Sequence, residues 1–310
     1  DNRLIMEPSK EYVFEYKGFY FAVITTPEHV TYLEDFEIND SDIFITTYPK
    51  SGTVWTQNIL ALIMNEGHRN GTENMEMMDR IPWLEYNIKS VDFATLPLPR
   101  IFATHLPYYL VPRDMRNKRG HVIHVTRNPK DVMVSYYYFS KFMNTLEKIP
   151  DFDLFMKRFL AGKVLASSWM DHVAGWYSHA EDFNILFLTY EEMKKDLRSA
   201  VLNICNFLGK RLSEEEVDSV VGQATFENMR KDPRANYKNL PEELAEKNKG
   251  RFLRKRGSCS ASHLPLLPLS TVGDWKNIMT VAQSERFDKV FKERLKTLPI
   301  KFVWDINDEM

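Results

Sequence analysis

An α/β fold, with a central, mostly parallel sheet flanked by helices, is predicted for this chain of 310 residues. Three observations carry the expectation. Short runs rich in apolar and β-branched residues stand at 42–47, 101–105, 121–126 and 184–188. Each stops at a polar or Pro-containing turn. Segments of helical period alternate with them, which is the pattern of a parallel sheet in an α/β sandwich. No internal repeat is visible, and this length supports a large core.

Residues 11–35 read as short strands and a turn, punctuated by Gly18. The run 42–47 feeds a Pro-Lys-Ser-Gly-Thr loop, and 53–66 carries Val54, Ile59, Leu62 and Ile63 at helical spacing. Residues 68–100 are mixed and broken by Pro82, Pro97 and Pro99. Strand 101–105 ends at Leu106-Pro107. Strand 121–126 ends at Arg127-Asn128-Pro129, with a helix expected over about 130–143. Residues 151–180 look helical, and their stripe of Phe152, Phe155, Phe159, Trp169 and Trp176 reads as core rather than cofactor box. Strand 184–188 closes at Thr189-Tyr190, and helices follow at about 191–208, 213–222 and 282–296. The Ser- and Pro-rich stretch 256–270 has no period and reads as a loop.

A formal net charge of −2 supplies no global basic field for nucleic acid. The basic run at 113–119 reads as a solvated turn. Two cysteines, Cys205 and Cys259, suit a reduced compartment better than a disulfide framework. The N-terminus lacks an apolar signal core, and no apolar run approaches the ~20 residues that span a membrane. The expectation is a cytoplasmic chain with neither nucleic-acid nor membrane partners, in which Asn70-Gly71-Thr72 matches a glycosylation acceptor by chance.

Chemistry concentrates at strand ends. Where 42–47 meets the next helix, unpaired backbone N–H groups and the helix dipole favour an anion. Lys50 adds a point charge there, and Ser51 and Thr53 add hydroxyl donors. The nucleotide-triphosphate loop G-x-x-x-x-G-K-[ST] is absent, so an anion site of another kind is implied. Arg127, at a second strand–helix junction, offers a planar fork to a phosphate, and Ser135 lies on a helix face that meets the same anion. Arg127 alone also suits a surface ion pair; its place beside Lys50 at a parallel strand end favours the phosphate. Two such sites fit a ligand with two separated phosphate groups. His105 reads either as structural or as a base for an acceptor hydroxyl or amine. Lys50, His105, Arg127 and Tyr190 all follow strand ends, where ligands bind in such sheets. No zinc spacing, H-E-x-x-H, G-x-S-x-G or strand-linked G-x-G-x-x-G occurs, and no metal is expected.

Taken together, Tyr48-Pro49-Lys50-Ser51-Gly52-Thr53-Val54-Trp55, the Arg127-Asn128-Pro129-Lys130-Asp131 turn with Ser135, and Gly273-Asp274-Trp275-Lys276 resemble the cytosolic sulfotransferases. The stretch 101–110 is most similar to the amine sulfotransferase branch. The resemblance implies a single sulfotransferase domain over 1–310. It implies transfer of a sulfonate from 3′-phosphoadenosine 5′-phosphosulfate (PAPS) to a small apolar acceptor, an amine, phenol or steroid. It assigns Lys50, Ser51, Gly52, Thr53 and Val54 to the 5′-phosphosulfate, and Trp55 and Tyr190 to the adenine with Thr225, Phe226 and Met229. Arg127 and Ser135 would hold the 3′-phosphate with Arg254 and Lys255, and His105 would be the catalytic base, with Lys50 stabilising the leaving oxygen. Phe21, Trp83, Phe139 and Phe142 serve either as acceptor-pocket walls or as ordinary core. Glu147 either pairs with a cationic acceptor or is a solvated charge. The segment 276–285 resembles the family's short dimer segment, which implies a homodimer through a small patch.

Two departures matter. Ala103 stands where the family often has Lys, two residues before His105. An atypical insert at about 256–270 parts Arg254-Lys255 from Thr271-Val272-Gly273, and Gly257 alone is left to follow as the expected Gly. Added loop length costs little entropy, so the insert either loops out or draws Arg254 and Lys255 off the phosphate. The alternative to an active enzyme is thus a nucleotide-binding sulfotransferase-like protein with impaired catalysis. A nucleotide kinase is disfavoured by the missing Gly-Lys-[ST] loop.

Overall fold

Strands β1 (Val13–Tyr16) and β2 (Phe19–Ala22) pair antiparallel through a two-residue turn. Lys17 and Gly18 both have positive φ there, the geometry that matches strand twist in a tight hairpin. Only this part of 11–35 is strand. Residues Pro27–Glu34 form helix α1, because Thr26 caps the His29 amide and Pro27 occupies the first turn. This computed structural model describes residues 5–68, 75–232, 235, 237, 240, 243–244, 271–305 and 307–308. Arg254, Lys255, Gly257, Cys259, Asn70 and the 256–270 insert lie outside them.

The main sheet has four parallel strands in the order β4-β3-β5-β6: β3 is Ile43–Thr47, β4 Ile101–Thr104, β5 His121–Thr126 and β6 Ile185–Thr189. Every β3 position is buried, as a central strand covered on both faces requires. Alternation splits its side chains between two cores. Phe44 packs with Phe102 and Val122 on one face, while Ile43 and Ile45 pack with Ile101, Ile123 and Val125 on the other.

Helix α2 (Thr53–Met64) follows β3, short α3 (Met77–Arg80) precedes β4, and α4 (Pro129–Phe142) follows β5. The expected helix over 151–180 is two, α5 (Phe152–Leu160) and α6 (Trp169–Ser178). Asp151 and Ser168 each cap a fresh N-terminus, and Gly162 with Ala166 and Ser167 turns the chain between them at positive φ. The aromatic stripe does belong to the core: Trp169 and Trp176 are fully buried. Residues 191–208 likewise divide into α7 (Tyr190–Lys195) and α8 (Leu197–Leu208), because the Asp196 side chain caps the Ser199 amide. α9 (Glu214–Gln223), α10 (Phe226–Lys231) and α11 (Val281–Leu295) complete the described helices used below. Among the described residues, no helix is long and apolar enough to cross a membrane.

Candidate active site

The chain passes from β3 outward to β4, then returns to the other flank of β3 for β5 and continues to β6. Strand order therefore reverses between β3 and β5, and a crevice opens at their carboxyl ends. Both phosphate-type junctions stand at this crevice. After β3, Lys50 (φ 69°) and Gly52 (φ 96°) take left-handed conformations that swing the loop into α2. A Cβ on Gly52 would meet the Tyr190 ring at 2.9 Å, so this close approach requires glycine. Gly52 caps α2 without a side-chain bond, leaving the first amides of the helix for an anion.

Arg127 bridges the two junctions. Its Nη1 donates to the Lys50 carbonyl (3.1 Å), and its guanidinium lies 4.3 Å from the Tyr190 ring centroid. Ser51 Oγ and Ser135 Oγ are buried and have no hydrogen-bond partner among the described residues. Buried hydroxyls are normally satisfied, so this pair, beside Lys50 and Arg127, fits a ligand carrying phosphate oxygens. Trp55 and Tyr190 meet edge-on at 5.5 Å, and Phe226 and Met229 of α10 line the same cleft. Thr225 is not on the lining; it caps α10 through the Asn228 amide and so orients its two neighbours.

His105, half-buried past the end of β4, is held from three directions. Its Nδ1 lies 2.8 Å from the Thr47 carbonyl oxygen, which can only accept, so Nδ1 carries the hydrogen and Nε2 the lone pair. Its backbone N–H donates to Glu85 Oε1 (2.7 Å), and its carbonyl accepts from His172 Nε2 (3.0 Å). The Trp83 ring stands 4.6 Å from the imidazole. Burial, reinforced by the nearby His172 and Lys50, pushes the imidazole down to about 3, so it is neutral at physiological pH. Burial also pushes the Glu85 carboxyl up to about 7. Thr47, Glu85 and His172 were not found by sequence reasoning. Glu85 sits in the aperiodic stretch 68–100, and the others carry no motif.

Lys50, Gly52, Trp55, His105, Arg127, Ser135, Tyr190, Phe226 and Met229 open into one cleft of about 1340 Å³, counted out to open solvent, while Ser51 is fully buried and not on its lining. Its described lining holds Lys50, Arg127 and His105 but no carboxylate. Trp83 and Phe139 are walls of it, and Lys50 Nζ stands 4.1 Å over the Phe139 ring. Phe21 and Phe142 are not on the lining. Strand alternation turns Ala22 toward the cleft and Phe21 into the core against Phe14 and Phe19; Phe142 is buried in the opposite core. Glu147 is also off the cleft, paired with Arg158 at 3.0 Å and accepting the Ser9 amide. Additional walls come from Tyr86, Leu146, Leu165 and Tyr237.

The Gly273-Asp274-Trp275 turn docks at the start of α4. Asp131 accepts the Gly273 amide at 2.9 Å and the Trp275 amide at 3.0 Å, while Asn128 caps α4 through the Asp131 amide. Lys130 Nζ packs 4.3 Å over the Trp275 ring. Gly273 and Trp275 are thereby tied to the first turn of α4, which follows Arg127.

A family model described as "Sulfotransferase domain" matches residues 40–299. An amine sulfotransferase of Oryctolagus cuniculus is 52% identical over 307 residues, covering 98% of this chain and 97% of that protein. Sulfotransferase 2B1 of Mus musculus is 40% identical over 298 residues, covering 96% and 84% respectively. A mouse sulfotransferase crystallised with PAP superposes with a TM-score of 0.68 at 28% identity, covering 92% of this chain and 96% of that one.

Proposed function

The chain belongs to the sulfotransferase family, enzymes that move a sulfonate from PAPS to an amine or hydroxyl of a small acceptor, and we propose that it acts on an uncharged apolar amine with His105 as base. The observation that carries this reading is the shared cleft: the anion-binding loop at Lys50 and a tautomer-fixed imidazole open into one apolar space. When bound, PAPS supplies the activated sulfonate and the leaving phosphate.

This chain's residues do the rest. Lys50, Ser51, Gly52, Thr53 and Val54 hold the 5′-phosphosulfate, and Lys50 offsets charge growing on the leaving oxygen. Trp55, Tyr190, Phe226 and Met229, with Thr225 behind them, hold the adenine. Arg127 and Ser135 take the 3′-phosphate; Arg254, Lys255 and Gly257, outside the described residues, are assigned to the same group. His105 Nε2 receives the acceptor proton as the new bond forms, when that proton has become acidic enough for a weakly basic imidazole. An ammonium has no lone pair to attack with, and no described carboxylate lines the cleft to draw it in beside Lys50 and Arg127. The amine therefore enters neutral. The 52% identical amine sulfotransferase supports nitrogen over oxygen as the favoured nucleophile.

Ala103 favours the second reading, a nucleotide-binding protein with impaired turnover. It is fully buried, bridged to Trp83, and offers no cation where the family often has Lys. A cytoplasmic location is consistent with the free thiol of Cys205.

Transfer from labelled PAPS to a panel of aryl amines, phenols and steroids tests the proposal. Aryl amines are expected to be the best acceptors, and His105→Ala to lower kcat by about 10²–10⁴-fold. PAP binding without transfer to any acceptor would establish the impaired reading instead.

A further inference from the structure

The turn that joins α5 to α6 is unusually constrained for a connection between helices. Ala166 (φ 69°) and Ser167 (φ 58°) are consecutive non-glycine residues in the left-handed region, which a β-carbon disfavours. Such a conformation persists where the surroundings over-determine it. Here four hydrogen bonds do so. Tyr136 Oη donates to the Leu165 carbonyl (2.7 Å) and Tyr48 Oη to the Ser167 carbonyl (2.9 Å). The Ala166 amide donates to the Tyr20 carbonyl (3.0 Å), and Ser167 Oγ accepts the Tyr20 amide (2.9 Å). Tyr48 belongs to the phosphosulfate loop, and Tyr136 follows Ser135.

What this turn holds in place is Leu165. Leu165 lines the acceptor cleft and also a second, smaller pocket of about 380 Å³, counted out to open solvent. Tyr136 and Leu146 are likewise common to both. Beyond these three residues the smaller pocket's apolar walls are Pro8, Tyr12, Val13, Ile149, Phe155 and Val164, and its polar edge is Ser140, Lys163 and the Glu147–Arg158 ion pair.

We propose that Leu165, clamped by the Ala166-Ser167 turn and backed by Leu146, is the partition that sets how long an acceptor this enzyme takes. The pocket behind it is a latent apolar extension of the acceptor site. The proposal rests on the sulfotransferase reading above. Thinning the partition joins the two spaces, and thickening it shortens the cleft.

The test uses the full chain, labelled PAPS and a series of 4-n-alkylanilines from aniline to 4-octylaniline. Wild type is expected to show kcat/KM rising with chain length to an optimum and then falling. Leu165→Ala and Leu146→Ala should move that optimum to longer chains, raising kcat/KM for the longest members about tenfold relative to aniline. Leu165→Phe should move it to shorter ones. These opposite directions separate a partition from a general loss of packing. An unchanged optimum in the variants that fold, with aniline still sulfonated, overturns the inference. Absence of transfer from wild type to any member of the series overturns the amine reading itself. If Leu165→Ala fails to fold, Leu165→Phe and Leu146→Ala decide the matter by the same readout.

Discussion

At the scale of single residues, the site depends on buried groups held away from their usual ionisation. Glu85 accepts the His105 amide and the Thr104 hydroxyl, both at 2.7 Å, from a position 1% exposed. Burial raises its carboxyl from 4.5 to about 7 in the folded chain. The stabilisation that goes with the protonated form is complete below pH 4.5 and is lost as pH rises through about 7. Such a shift corresponds to on the order of 3 kcal/mol. Glu191, also raised to about 7, contributes in the same direction, so only a comparison isolates Glu85. Urea denaturation at pH 5 and pH 8 should show wild type losing stability relative to Glu85→Gln by about that amount; parallel curves would count against it. His105 behaves oppositely. Held near 3, it places no acid limb on the rate around neutrality, and the pH dependence with an alkyl amine should follow the neutral fraction of the acceptor.

At the scale of elements, helix starts carry the site. α2 and α4 begin at the carboxyl ends of β3 and β5, and their starts were legible because the turn residues that end a strand and open a helix are local. Asn128-Pro129 ahead of α4 and Thr189-Tyr190 ahead of α7 were seen as strand-to-helix boundaries from residue type alone. The breaks between α5 and α6, and between α7 and α8, were not. There an apolar pattern runs on through a turn whose cause is a buried side chain or a cap, and periodicity reports only the pattern. Asp131 shows what an element boundary does at a distance. Replacing it with Ala leaves the Gly273 and Trp275 amides without their acceptor. A cost of about 3 kcal/mol is expected from two unsatisfied donors, together with a clear drop in Tm and weaker PAP binding by calorimetry. An unchanged Tm would show that the turn is held by the Lys130–Trp275 contact instead.

At the scale of the whole molecule, the homodimer through 276–285 is a proposal with a simple test. Val281 opens α11 and is 76% exposed, an apolar side chain at the middle of that segment. Val281→Glu is expected to convert a dimer to a monomer by light scattering while leaving sulfonate transfer intact; a wild-type monomer would end the idea. The positions of the four main strands along the chain, the two strand-to-helix junctions at Lys50 and Arg127, and the place of His105 just past a strand end follow from local pattern, because strand runs, turn residues and helix starts each lie within a few residues of one another; the order of the strands in the sheet does not. Which aromatic faces the cleft followed from tertiary structure. Trp83 and Phe139 reach the cleft while Phe21 and Phe142 do not, because strand pleat and helix packing aim each ring. The fixing of His105 was equally out of local reach, since its partners Thr47 and His172 are 58 and 67 residues away in sequence. The clamp on Leu165 likewise draws on Tyr20, Tyr48 and Tyr136 from three other segments. A chain records its local preferences in adjacent residues, but a hydrogen bond or a wall is shared between distant ones, and only the folded packing decides which of them meet.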